Sequence, residues 1–301
     1  VSRVPSDTTR PVKAWLLAAR PKTLPAAVAP VTVGTAQAYA DHGFALLPAL
    51  AALSVALLLQ IAVNLANDYF DFIKGIDTED RLGPARVTQS GLIAPNRVKS
   101  AMFFILVLSL LPGIYLAVRS GWPVVIIGSA SIIAALAYSG GPYPLASHAL
   151  GDLFVFIFFG LVAVGGTYYV QALRLTPMVP VMGSMVGLMI TAVLVVNNLR
   201  DIQTDQRAGK RSLAVILGTR GTKMEYRLLH AGAYLLPLFI WFSDLADGFI
   251  LFPLLSLPWA LSLNRAIWTN PAGANLNKTL AGTARLALLF SLLLSIGLPL
   301  S

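Results

Sequence analysis

The strongest constraint on this chain is the recurrence of apolar runs of about 20 residues, each long enough to cross a bilayer as a helix. The stretch "ALAALSVALLLQIAV" carries no charge at all. Of 301 residues, 56% are hydrophobic and only 12% charged, against about 25% charged in soluble domains. So few charges cannot cover that much apolar surface in water, which predicts an all-α integral membrane protein. Nine transmembrane helices are expected at roughly 23–40, 46–70, 98–118, 122–139, 152–173, 177–200, 226–243, 248–264 and 282–300. The first contains Pro25 and Pro30 and the eighth Pro253 and Pro258, which membrane helices tolerate when neighbours satisfy the freed backbone. Residues 1–22 read as a polar amino-terminal segment and 23–301 as a single transmembrane domain.

With nine crossings, 20 of the 22 Lys and Arg residues fall on one side, and only Arg119 and Arg174 on the other. The positive-inside rule makes the basic side cytoplasmic. The +9 net charge thus marks topology, and no nucleic-acid partner is expected. Cysteine is absent and His42, His148 and His230 are far apart. That excludes disulfides, thiolate sites and a cysteine nucleophile, and argues against zinc.

Two acidic patches lie on the basic side, in loops at about 67–97 and 200–225. The first reads "NLANDYFDFIKGIDTEDR" and the second "NNLRDIQTDQRAGKRSLAVILG". On a continued helix, Asn64, Asn67, Asp68 and Asp71 share one face, and Gly75 permits a turn that brings Asp77 back toward them. Asn197, Asp201 and Asp205 follow at spacings of four. A helix carboxyl end is the unfavourable end for anions, and a carboxylate near bilayer depth costs ~2.5–3.5 kcal/mol. A cation is the simplest compensation. Oxygen donors without Cys or His select a hard ion, and Mg²⁺ is the usual one where phosphates share the coordination. Lys and Arg nearby would hold phosphate oxygens. The expected ligand is therefore a diphosphate with Mg²⁺, bound at the cytoplasmic mouth of a helical bundle. Glu79 and Asp80 read instead as solvated loop charges.

"NDYFDFIKGID" and "RDIQTDQRAGKRSLAV" together resemble the two aspartate motifs of the UbiA superfamily of intramembrane prenyltransferases. "ARPKTLPAAVAPVTVGTA", "DRLGPARVTQSGLI" and "LAGTARLALLF" are similar to its 1,4-dihydroxy-2-naphthoate branch. The loop "YSGGPYPLASH" lacks the Lys-Arg found there in 4-hydroxybenzoate-type members. The resemblance implies nine helices around a central cavity, and transfer of a prenyl group from a prenyl diphosphate to 1,4-dihydroxy-2-naphthoate with loss of CO₂. It places the enzyme in a bacterial inner membrane or a thylakoid equivalent.

On the matching positions, Asn67, Asp68, Asp71, Asp77, Asp201 and Asp205 are the expected Mg²⁺ ligands. Lys74, Arg86, Lys210 and Asn197 are candidates for substrate contact. Arg20, Lys22 and Arg200 read equally as substrate contacts or topology-setting charges. Tyr138 either turns its ring to a carbocation or is a membrane-interface tyrosine. Tyr168, Tyr169 and Gln171 are expected in an interface belt. Another aromatic acceptor is the nearest rival reading, and a secondary transporter the rival from another class. Transporter sites lie near the bilayer midplane, whereas these acids gather at one face.

Overall fold

The computed structural model describes residues 9–76, 82–83 and 86–301, with the side chains of residues 9 and 10 left aside. Asp77, Glu79 and Asp80 therefore lie outside the described residues. The described residues are helical, with no strand and one isolated bridge between His148 and Arg211.

Nine rods follow the nine apolar runs. They are α2 (Pro25–Ala40), α3 (Leu46–Ile73), α4 (Pro95–Ser120), α5 (Trp122–Ser139), the pair α6 (Gly151–Val155) and α7 (Ala163–Ala172), α8 (Met178–Arg207), α9 (Leu213–Phe242), α10 (Leu257–Thr269) with its 3₁₀ lead-in Gly248–Ser256, and α11 (Asn277–Gly297). Seven are long and apolar enough to span a bilayer by length and composition among the described residues. The other two are α2, with only 16 residues, and α9, which carries Glu225, Arg227 and His230 in one stretch.

The two rods that carry motif residues outlast their apolar runs. α3 runs to Ile73 and α8 to Arg207, so Asp71, Asp201 and Asp205 stand on continuous helix beyond the expected ends. Gly75 and Gly209, at φ 66° and 71°, then turn the chain. α9 begins 13 residues before its expected start, with a break at Gly218 (φ 67°). Within the amino-terminal segment, the described residues from Thr9 on are helical, which its polarity does not suggest. α1 (Thr9–Ala19) buries Ala14 and Ala18 against Ala62, Leu65 and Ala66 of α3, and exposes Val12, Trp15, Leu16 and Leu17. That is the pattern of a helix lying in a membrane interface.

α8 is the central rod, with 67% of its apolar window buried, against 6% for α5. It packs on α9, α11 and the wide turn between α6 and α7. Small residues permit the last contact: a Cβ on Gly160 would lie 2.5 Å from the Gly183 carbonyl oxygen and 2.7 Å from Gly187 Cα. In lipid there is no hydrophobic drive between helices, so such backbone approach is what holds them. At the end opposite the motifs, the Tyr168 hydroxyl donates to Asp41 at 2.6 Å and Gln171 donates to Thr35 at 3.1 Å. Both residues are buried, so they form an internal polar latch rather than the expected belt.

Candidate active site at the motif end

The end of α3 supplies the first half. Asp71 Oδ2 accepts from Arg86 Nη2 at 2.7 Å, both side chains largely buried. Asn67 Oδ1 accepts from the Ser139 hydroxyl at 2.6 Å. Lys74 Nζ donates to the carbonyls of Ser139 (2.6 Å) and Gly141 (3.1 Å). Lys74, expected at the diphosphate, instead ties α3 to the end of α5. Asp68, expected beside Asp71, is turned to the 87–88 backbone.

The end of α8 supplies the second half. Arg200 is 2% exposed. Its Nε and Nη2 reach both Asp201 oxygens, at 2.8 and 2.5 Å. Nη2 also donates to Asn197 Oδ1 at 2.9 Å, and Nη1 to Asn277 Oδ1 at 3.1 Å. The fork geometry of arginine suits this two-point grip. Asn197, a candidate for substrate contact, and Arg200, read equally as substrate contact or topology-setting charge, are both occupied in fixing Asp201. Lys210 Nζ stands 3.4 Å from Asp205 Oδ2. Its own backbone N–H closes the turn onto the Asp205 carbonyl at 2.9 Å.

The two halves face one another. Asn277 Nδ2 donates to the Leu82 carbonyl at 3.1 Å, and a Cβ on Gly83 would lie 2.9 Å from Arg200 Nη2. The loop after α3 therefore crosses to the second motif. Lys210 joins the acids of both. Burial alone would lower its pKa, but Asp205, Asp71 and Asp201 together outweigh this and hold the ammonium above its ordinary range. Lys210 is therefore a fixed positive charge at neutral pH. Arg20 takes a left-handed corner (φ 50°) in "RPKTLP". That corner is held by Asn64, which donates to the Ala19 carbonyl (2.8 Å) and the Thr23 hydroxyl (2.9 Å). Lys22 is exposed.

An apolar cavity of about 500 Å³ runs inward from this end. Asn67 and Tyr138 line its motif side, and Phe154, Phe158 and Phe159 its wall. Tyr138 lines the cavity, and its hydroxyl lies 3.3 Å from where a Cβ on Gly151, at the start of α6, would stand.

Sequence reasoning passed over Asp152, which is 6% exposed in the first turn of α6. Its signal was an acid opening an apolar run. It also passed over Asn277, Ser139 and Thr88, whose roles depend on partners far along the chain.

Among the described residues no three His, Cys, Asp or Glu side chains form a cage for a metal. The acids come as pairs from separate helices, with oxygen donors only. That donor set fits an ion such as Mg²⁺, which is held by one or two carboxylates and completes its shell with phosphate and water.

These features define an integral-membrane helical bundle with two acidic helix ends over an apolar cavity. The chain belongs to the UbiA prenyltransferase family, whose profile matches residues 27–293. It is 41% identical over 278 residues to a 1,4-dihydroxy-2-naphthoate octaprenyltransferase of Mycobacterium tuberculosis, covering 92% of this chain and 94% of that one. It is 40% identical over 296 residues to the enzyme of the same name from Escherichia coli, covering 96% of each. Its fold is similar to that of a UbiA homolog from Archaeoglobus fulgidus bound to DMAPP and Mg²⁺, with a TM-score of 0.64 and 16% identity over 94% of this chain and 99% of that one.

Proposed function

We propose that the protein transfers a prenyl group from a prenyl diphosphate to 1,4-dihydroxy-2-naphthoate, with loss of CO₂ and diphosphate, giving a demethylmenaquinol or its phytyl equivalent. The observation that carries this reading is the meeting of two acidic helix ends, where Asp71 pairs with Arg86, Asp201 with Arg200 and Asp205 with Lys210, near an apolar cavity whose motif side is lined by Asn67 and Tyr138. A substrate with a charged head and an apolar tail matches that layout. The names of the relatives support the naphthoate as acceptor.

In this reading Asp71, Asp201 and Asp205, with the Asn67 amide, would hold Mg²⁺, which would supply positive charge to offset that of the diphosphate leaving group. Asp77 belongs to the same proposal, outside the described residues. Lys210 and Arg86 offer charged donors to the phosphate oxygens. Arg200 keeps Asp201 from swinging away. The Tyr138 ring, which lines the motif side of the cavity, would lend its π face to an allylic cation formed there. The C–O bond to diphosphate breaks, the naphthoate ring supplies the electron pair of the new C–C bond, and its carboxylate leaves as CO₂. The apolar walls exclude water, which would otherwise trap the cation.

Purified protein given 1,4-dihydroxy-2-naphthoate and a panel of prenyl diphosphates is expected to yield a product of the condensed, decarboxylated mass with one CO₂ per turnover. Product from 4-hydroxybenzoate or homogentisate in its place would overturn the acceptor. The motif end is assigned to the cytoplasm of a bacterial inner membrane, because the basic residues gather there. Asp244, exposed at the other end with φ 52°, tests this. An Asp244→Cys variant is expected to label with an impermeant thiol reagent in intact cells, and protection would reverse the topology.

A further inference from the structure

Asp68 and Asp71 sit three residues apart, yet their carboxylates have different surroundings. Asp68 is 1% exposed. Its Oδ2 accepts the Val87 N–H at 3.1 Å, and its Oδ1 accepts the Thr88 N–H at 3.1 Å together with the Thr88 hydroxyl. That hydroxyl also stands 3.1 Å from the Asp68 carbonyl oxygen. All these donors come from two adjacent buried residues. They open a compact turn in which Ser90 N–H bonds to the Arg86 carbonyl, Gly91 N–H to Thr88 and Ile93 N–H to Val87. Asp68 thus caps this turn from a distant helix, as an N-cap carboxylate caps its own. The residue just before the capped pair is Arg86, whose guanidinium meets Asp71 at 2.7 Å.

Asp68 is almost wholly buried beneath this turn, so an ion could reach its remaining lone pair only by opening the turn and leaving buried amides without partners, which folded proteins avoid. We propose that Asp68 is a positioning residue. It fixes residues 86–91 against α3 so that Arg86 is held on Asp71, and it is not itself an ion ligand. The proposal rests on reading Asp71 as part of the ion–diphosphate site. Two neighbouring aspartates of one motif thereby take different roles. Asp71 serves the reaction, and Asp68 serves the residue that holds Asp71.

The test compares Asp68→Asn, Thr88→Val, Arg86→Ala and Asp71→Asn in detergent. Hydrogen exchange, read without substrate or metal, is expected to speed at least tenfold at the 87 and 88 amides of Asp68→Asn and Thr88→Val. Exchange at residues 201–205 should stay as in the wild type. In turnover, both variants should raise KM for prenyl diphosphate at least fivefold. At saturating prenyl diphosphate their half-saturating Mg²⁺ concentration should remain within twofold of wild type, while Asp71→Asn raises it at least tenfold. Adding Asp68→Asn to Arg86→Ala should change KM by less than a further twofold, because both act through one guanidinium. A tenfold rise in the Mg²⁺ requirement of Asp68→Asn, with unchanged exchange at 87 and 88, would overturn the proposal and return Asp68 to the ion. Thr88→Val, which keeps the carboxylate, decides the matter if Asp68→Asn does not fold. If the wild type makes no prenylated naphthoate, the function assigned above fails, and the exchange measurements still show whether Asp68 holds the turn.

Discussion

Replacing Asp71 with Asn is expected to lower turnover by at least about 10²- to 10³-fold, the loss typical when one electrostatic contact to a developing charge is removed. The protein should still fold. Its partner Arg86 has a side chain only 6% exposed, so the lost charge is also expected to lower Tm. Asp201→Asn is expected to cost as much turnover and more stability. Its partner Arg200 is almost wholly buried and is gripped through both Asp201 oxygens. Breaking a buried pair from one side typically costs about 3–5 kcal/mol, because the remaining charge is left uncompensated. The two substitutions should therefore differ in degree: similar product loss by mass spectrometry, and the larger fall in Tm for Asp201→Asn. Wild-type turnover in either variant would remove that aspartate from the site.

Removing divalent ions is expected to stop the reaction without unfolding the protein. EDTA should reduce product formation to background and added Mg²⁺ should restore it, while helical content and Tm stay close to their starting values. The second half of this expectation comes from the structure. Asp71 is matched by Arg86, Asp201 by Arg200 and Asp205 by Lys210, so the acids are neutralised by the protein before any ion arrives. Folding of the bundle does not depend on metal, unlike that of a small zinc domain. Full turnover in EDTA would sink the metal assignment, and collapse of the fold would sink the account of how the acids are neutralised.

The nine rods could be read directly because each apolar run is bounded by charge or by Gly and Pro, and lipid forces such runs into helices. What the runs did not show is where the helices stop. α8 continues seven residues past the end of its run, since water satisfies a helix as well as lipid does. The two acidic motifs could be read as well, because their spacing of three and four is a local property. Their division of labour could not. Asp68 and Asp71 look alike on a helical wheel, and only residues 86–88, about 20 positions later, assign them different partners. Arg200 looked like an available cation until Asn277 and the Leu82–Gly83 segment closed over it. Tyr168 and Gln171 were mistaken for interface residues because composition cannot tell a buried hydroxyl from a wet one. In the structure Asp41, 127 residues from Tyr168, decides it.

The wide turn at Phe156–Val162 separates α6, which bears Asp152, from α7, which bears the Tyr168 latch. Each turn of such a π segment holds roughly one residue more than an α turn. The extra length acts as a phase shifter between two working ends of one rod. Were the same residues wound as regular α-helix, α7 would swing by about 100° relative to α6, given 3.6 residues per turn. Asp152 and Tyr168 could then no longer both face inward. The winding of the backbone at this point, as much as residue identity, sets how the two ends of this rod are oriented.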